Sequence, residues 1–199
     1  MTGPYTERHP HTVGSTSEVD NEEIGSRTRQ GADSTFLIDM IRRIGASLSW
    51  DNDRLLRAFS RSFVLSADNA HAVHPNYPDK ADPVNRPQMN GGIVIKYSAV
   101  HKYTSDGLSA AVFKEICRMA GVPFQEFTNR SDIPGGSTLG YISTAHVSVL
   151  SVDIGLAQLA MHSSFETAGT SDTGYLKKAA EVFFSSSLES SGEVIRIIR

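Results

Sequence analysis

Short apolar runs of strand length, alternating with stretches of helical apolar spacing, constrain this chain more than any other feature. Phe63-Val64-Leu65 and Ile93 to Tyr97 are runs of the kind buried strands show, and Phe124 to Phe127 and Val147 to Ile154 read the same way. From Ser34 to Trp50, residues Phe36, Leu37, Met40, Ile41, Ile44 and Leu48 recur at helical spacing, with Asp33 or Ser34 placed to cap the start. Asp51 to Ser60 is a second helical stretch carrying Leu55, Leu56 and Phe59. Leu108 to Ala120 sets Ala111, Val112, Ile116 and Met119 on one side and ends at Gly121 and Pro123. A last helix over Ser171 to Ser186 turns Tyr175, Leu176, Ala179, Val182 and Phe183 inward. Helices alternating with buried strands predict an α/β layered domain. In such sheets ligands gather at the carboxyl ends of strands, so polar residues there are the leading candidates for chemistry.

The bulk properties exclude more than they select. The chain has 199 residues, 39% apolar and 21% charged, with a formal net charge of −3, which suits one domain with a sizeable core. The near-balanced charge gives no reason to expect nucleic acid as a partner. No apolar run approaches the roughly 20 residues that span a bilayer, so no membrane association is expected. Residues Met1 to Glu18 are polar and rich in Thr, Ser, Gly, Pro and His, without the apolar core of a secretory signal. A cytoplasmic protein is the expectation. The single cysteine, Cys117, excludes an internal disulfide and a thiol-rich metal site.

Three polar constellations carry chemistry. Glu22 and Glu23 are adjacent carboxylates that leave one backbone in different directions, so one can hold a metal while the other takes a proton from bound water. The competing reading is a capping pair favoured by a helix macrodipole. Asp68, His71 and His74 directly follow the strand Phe63 to Leu65, and offer oxygen and nitrogen donors of the type zinc accepts. Histidines that cap a polar loop would leave the same trace. His162 follows the last expected strand; taken alone, a lone histidine there is more often a packing residue. Gly135-Gly136-Ser137-Thr138 has the glycines of a phosphate cradle without its lysine, and Ser137 lacks the Gly-x-Ser-x-Gly setting of a serine hydrolase.

Taken in order, longer segments become specific. They are Asp20-Asn21-Glu22-Glu23-Ile24-Gly25-Ser26, the run from Ser66 to Tyr77, Asn85-Arg86-Pro87, Val94-Ile95-Lys96, Gly135 to Gly140, Val152-Asp153-Ile154-Gly155 and Met161-His162-Ser163. Together they resemble the aspartyl aminopeptidase family of dinuclear zinc metalloaminopeptidases, in its bacterial branch, from about Asp20 to about Phe184. The resemblance implies a three-layer αβα zinc-peptidase-like domain. It implies Glu22 as the general base, Glu23 and His162 as ligands of one zinc, and Asp68 as a ligand of the other. His71, Lys96 and Tyr103 would contact a peptide substrate, and the lysine would suit an acidic N-terminal residue, Asp or Glu. Without the resemblance, Lys96 reads as a solvated lysine at a strand end. Gly135 and Gly136 are expected in a tight turn near the site, and Asp153 is expected to be structural.

The front of the chain departs from the family pattern. Family members carry an earlier histidine ligand, a metal-bridging aspartate and an inserted dimerisation domain used in homo-oligomers, and nothing around His9 or His11 matches that ligand motif. The expected organisation is therefore an irregular leader over 1–19, the C-terminal part of the catalytic domain over 20–190, incomplete at its N-terminal side, and a tail over 191–199. A zinc-dependent aminopeptidase is the leading functional expectation. The alternative is a catalytically incompetent fragment that lacks the bridging carboxylate between two mutually repelling dications.

Overall fold

The structure, a computed structural model, describes residues 14–133, 135–191 and 194–198. After a 3-10 turn at Glu22–Ile24, its elements run α1 (Phe36–Ser47), α2 (Asn52–Ser60), β1 (Phe63–Ala67), β2 (Ala70–His71), a second 3-10 turn at Pro78–Lys80, β3 (Ile93–Tyr97), α3 (Gly107–Ala120) and β4 (Phe124–Thr128). They continue with α4 (Leu139–Thr144), β5 (Leu150–Gly155), β6 (Ala157–Leu159), β7 (Thr167–Ala168), α5 (Thr170–Phe184), β8 (Ser187–Ser191) and β9 (Val194–Ile198). The main sheet has the order β1-β5-β3-β4, parallel at β1–β5 and β3–β4 and antiparallel at β3–β5.

The pleat divides this sheet into two unlike faces, because successive side chains alternate sides. On one face Ile93 and Ile95 of β3 and Val152 and Ile154 of β5 pack against Phe113, Ile116 and Cys117 of α3 and Ala179 and Val182 of α5. Each such side chain, fully buried, contributes about 1.5–3 kcal/mol. The other face carries Lys96, Ser151, Asp153 and Ser66, all buried and all polar. α4 lies over it, with Gly140 close against Ser66 and Asp153: a Cβ at Gly140 would stand 2.7 Å from the Ser66 side chain and 2.8 Å from Asp153 Oδ1. Helices on both faces give the expected α/β layering. Two further small sheets, β2-β6-β7 and the hairpin β8–β9, complete the described residues.

Element ends follow local chemistry. The Asp51 carboxylate caps α2 by accepting Arg54 N at 2.7 Å. Asp106 and Ser109 form a reciprocal capping box at the start of α3, and Gly121, at φ 63°, closes that helix as expected. α1 differs from expectation: Ser34 Oγ accepts Phe36 N at 3.2 Å, but Asp33 turns away to His146 Nε2 at 2.9 Å.

Other differences have physical causes. Ala111 is exposed, and the inward stripe of α3 runs through Ala110, Phe113, Ile116 and Cys117 with Val112. β1 is an edge strand, so Phe63, Val64 and Leu65 are only partly buried. β5 starts at Leu150, because Val147 is buried in the turn after α4. The segment expected as a tail holds β9, whose Ile197 packs against the main apolar cluster. Residues 14–19 have no regular secondary structure, and the rest of the expected leader, with His9 and His11, lies outside the described residues. Among the described residues no helix is long and apolar enough to cross a membrane.

Burial alone pushes the Cys117 thiol up from its ordinary value of 9.0 to about 12. The unfolded chain therefore loses this proton first as pH rises, and the native state is progressively disfavoured between pH 9 and about 12. Cys117→Ala is expected to flatten the alkaline limb of a stability–pH profile measured by denaturant titration. In the native wild-type chain Cys117 is expected to resist a thiol reagent that labels it at once in denaturant.

Candidate functional site

The site begins where two paired strands step together from one sheet into the next. β1 and β5 stay in register one residue past the strand, with Asp68 N donating to Ile154 O at 3.0 Å. The chain then resumes in β2 and β6, with Ala70 N donating to Leu156 O at 2.9 Å and Ala72 N to Gln158 O at 2.8 Å. Gly155 permits this step, since any side chain there would strike the Asp68 carbonyl. Asp68 and Asn69 thus stand in the break between sheets, and Asn69 Nδ2 donates to Gln158 Oε1 at 2.8 Å across it. Asp68, Asn69, Gly155, Leu156 and Leu176 help line a depression of about 220 Å³ there.

Lys96 reaches into the break. Its side chain is 2% exposed, and Nζ donates to the Asn69 carbonyl at 3.1 Å and to Asp68 Oδ2 at 3.4 Å. The face of the Tyr103 ring lies 5.3 Å from the same ammonium. Burial lowers the Lys96 pKa, and the negative charges of Asp68, Asp153 and Glu22 oppose that shift. The reading of Lys96 as a solvated lysine is therefore corrected: the second face of the sheet encloses it.

Asp153 is the second organising charge. It is fully buried on β5; Oδ2 accepts Thr104 N at 2.6 Å and Thr104 Oγ1 at 2.9 Å, while Oδ1 accepts Thr138 Oγ1 at 2.7 Å. One carboxylate thereby ties the loop after β3 and the turn before α4 to the sheet. Tyr103, next to Thr104 in that loop, is 7% exposed and packs its ring 6.3 Å from Phe127. Burial raises the Tyr103 pKa above the ordinary phenol value; the hydrogen bond from Asn129 opposes the rise, and Asp153 and Asp68 add to it.

The remaining predicted residues approach from loops. Glu22 and Glu23 lie in a 3-10 turn, Glu22–Ile24, between Asn21 at φ 62° and Gly25 at φ 98°. The turn is held by Asn21 Nδ2 donating to Thr28 Oγ1 at 3.0 Å and by Asp20 N donating to Gln30 O at 3.1 Å. It stands well before α1, so the pair does not cap that helix. His162 sits at φ 67° in the turn after β6, with its backbone N–H on Glu166 Oε1 at 2.7 Å. His71, on β2, is held toward its neutral form by burial first, then by His162 and Lys96, against the pull of Asp68. His74 serves the loop, as the competing reading had it: its Nδ1 accepts Asn76 N at 3.1 Å and its ring packs on Tyr77.

Glu22, Asp68, His71, Lys96, Tyr103 and His162 therefore share one electrostatic neighbourhood. Their donor chemistry fits zinc, with a partly exposed carboxylate at Asp68 and an exposed imidazole at His162. Among the described residues, however, no three His, Cys, Asp or Glu side chains gather into a metal cage. Sequence reasoning gave no role to Asn69, Gln158, Thr104 and Thr138, polar residues whose partners lie 15 to 89 positions away along the chain.

Comparison with known proteins converges on one description. A sequence model of the "Aminopeptidase I zinc metalloprotease (M18)" family matches residues 5–184 and so reaches into the segment expected as a leader. A probable M18 family aminopeptidase 2 of Clostridium acetobutylicum is 54% identical over 83% of this chain and 38% of its own length. A probable aspartyl aminopeptidase of Ricinus communis is 41% identical over 83% of this chain and 34% of its own. The solved mApe1 dodecamer of S. cerevisiae superposes with a TM-score of 0.71 at 30% identity, covering 84% of this chain and 36% of that one. The chain thus spans little more than a third of the length of the curated relatives it matches.

Removing the buried ammonium leaves Asp68 and Asp153 without their shared cation. Lys96→Met, close in volume, is expected to cost about 3 kcal/mol, discounted for the partial exposure of Asp68. In a calorimetric melt that is a fall of roughly 6–12 °C in Tm. An unchanged Tm would show that the Lys96 ammonium does not stabilise the fold.

Proposed function

The chain belongs to the aminopeptidase I zinc metalloprotease (M18) family, and we propose that it serves in releasing an N-terminal amino acid, Asp or Glu by preference, from peptides. The observation that carries this reading is the burial of Lys96 at the break between sheets, beside Asp68, within the fields of Glu22, Asp153 and His71. A desolvated cation selects an anionic side chain, which supports the acidic preference; the Ricinus communis relative, a probable aspartyl aminopeptidase, supports it too.

In this proposal Glu23 and His162 hold one zinc and Asp68 holds the other. Zinc, when bound, lowers the pKa of a water molecule and polarises the scissile carbonyl. Glu22 takes the proton from the attacking water and returns it to the departing amine. His71, which burial shifts toward its neutral form, and Tyr103, whose phenol burial shifts toward its protonated form, offer hydrogen bonds to the peptide. Lys96 orients the acidic side chain or the terminal carboxylate of a short peptide. The mApe1 dodecamer supports a homo-oligomer as the assembled form.

A second reading, a chain that binds less than the full metal complement and does not turn over alone, is favoured by the absence of a three-donor cage among the described residues. Zinc content per chain after dialysis, with a panel of aspartyl, glutamyl and leucyl substrates, separates the two. Two zincs with acidic-selective turnover would bear out the first reading. Glu22→Gln should keep the metal and lose at least about a hundredfold in kcat, whereas His162→Ala should lower zinc content. One zinc or none, with no turnover, would establish the second reading.

A further inference from the structure

The Tyr103 hydroxyl has one partner among the described residues. Asn129 Nδ2, just beyond β4, donates to the phenolic oxygen at 3.2 Å. A phenol that accepts through its oxygen keeps its own O–H to donate elsewhere. At 7% exposure that O–H is left for water or for a bound group to receive. The rest of the residue is fixed from three directions: Lys96 Nζ over the ring at 5.3 Å, Phe127 beside it at 6.3 Å, and Asp153 gripping the backbone of Thr104 next door. Gly135 leaves space for Asn129, since any Cβ there would overlap its amide nitrogen. Among the described residues there is no turn at Gly135-Gly136, contrary to expectation; a glycine at 135 simply leaves room for the amide beside the phenol.

We propose that Asn129 is a positioning residue for Tyr103: by donating to the phenolic oxygen, it leaves the Tyr103 hydroxyl to donate into the candidate site, to a carbonyl or carboxylate oxygen of the bound peptide. This rests on the proposed function, in which Tyr103 contacts substrate. Asn129 itself touches no substrate, so it acts only through the direction of the Tyr103 proton. Asn129→Asp keeps the shape of the side chain and reverses its hydrogen-bonding sense. The carboxylate would recruit the Tyr103 O–H as donor and withdraw it from the site.

The test uses the full chain, in wild-type, Asn129→Asp, Asn129→Leu, Tyr103→Phe and Asn129→Asp/Tyr103→Phe forms, each confirmed folded by circular dichroism. The first readout is independent of catalysis: the 13Cζ resonance of labelled tyrosines, with Tyr103 assigned by its loss in Tyr103→Phe. It is expected to move in both Asn129 variants, and a resonance that stays in place overturns the proposal. The second is aspartate affinity by calorimetry. Asn129→Asp and Tyr103→Phe are each expected to weaken binding about tenfold, and the double variant no further. A moved resonance with unchanged affinity in Asn129→Asp overturns the proposal and leaves the proposed function standing. Failure of the wild-type chain to bind aspartate overturns that functional reading, and the proposal with it.

Discussion

The arrangement depends on keeping one ammonium, that of Lys96, charged out of water. Several kcal/mol oppose taking a single ion into the interior, so the groups around it must compensate. They do so in distinct ways: the Asn69 carbonyl and Asp68 carboxylate accept from Nζ, the Tyr103 ring offers its face, and Asp153 and Glu22 act through space. The compensating groups come from four stretches of chain. Satisfying one cation therefore brings together the end of β1, the loop after β3, strand β5 and the Glu22–Ile24 turn. Electrostatic necessity and the assembly of the site are the same requirement here.

The sheet makes this possible by separating its two duties by face. Ile93, Ile95, Val152 and Ile154 bind α3 and α5 through dispersion and burial, and that face tolerates no charge. The alternate positions, Lys96 and Asp153, carry opposite charges one step along the β3–β5 ladder from the Ile95–Ile154 pair. Asp153 also receives three hydrogen bonds from Thr104 and Thr138, so its buried charge is shared between the cation and the loops above it. Small residues are needed wherever these layers touch. Gly140 admits Ser66 and Asp153, and Gly155 admits the backbone of Asp68.

Local patterns made the apolar face legible in the sequence and left most of the polar face hidden. Ile93 to Tyr97 and the inward residues of α5 announce themselves by period, because burial on one side repeats at fixed spacing. β1 was legible as a strand but not as an edge, since its neighbour is set by chain segments far away. α4 is short and contains Gly140 and β-branched residues, so it carries no helical period of useful length. The β8–β9 hairpin was missed because Ser187–Ser191 is dominated by serine and shows no apolar alternation. The candidate residues Glu22, Glu23, Asp68, His71, Lys96, Tyr103 and His162 came from motif order, which encodes a site without encoding its geometry. Neither the enclosure of Lys96 nor the three bonds on Asp153 has a signature within ten residues of either.

The break between the sheets explains why such a site forms at this point of the fold. Within a continuous ladder, backbone carbonyls lie in the plane of the sheet toward neighbouring strands, so few turn toward a side chain on its face. Where β1 passes to β2 and β5 to β6, the ladder changes sheets, and the Asn69 carbonyl turns to Lys96. The same break leaves the Asp68 carboxylate partly exposed at the mouth while its backbone N–H stays anchored to Ile154. A carboxylate with a fixed backbone and a partly exposed head suits a ligand that must not move when a peptide arrives. A side chain at Gly155 would collide with the Asp68 carbonyl and the Asn69 backbone, the segment that carries both acceptors of the ammonium. Zinc and peptide chemistry in this proposal therefore rests on a defect in sheet pairing that a single glycine sustains.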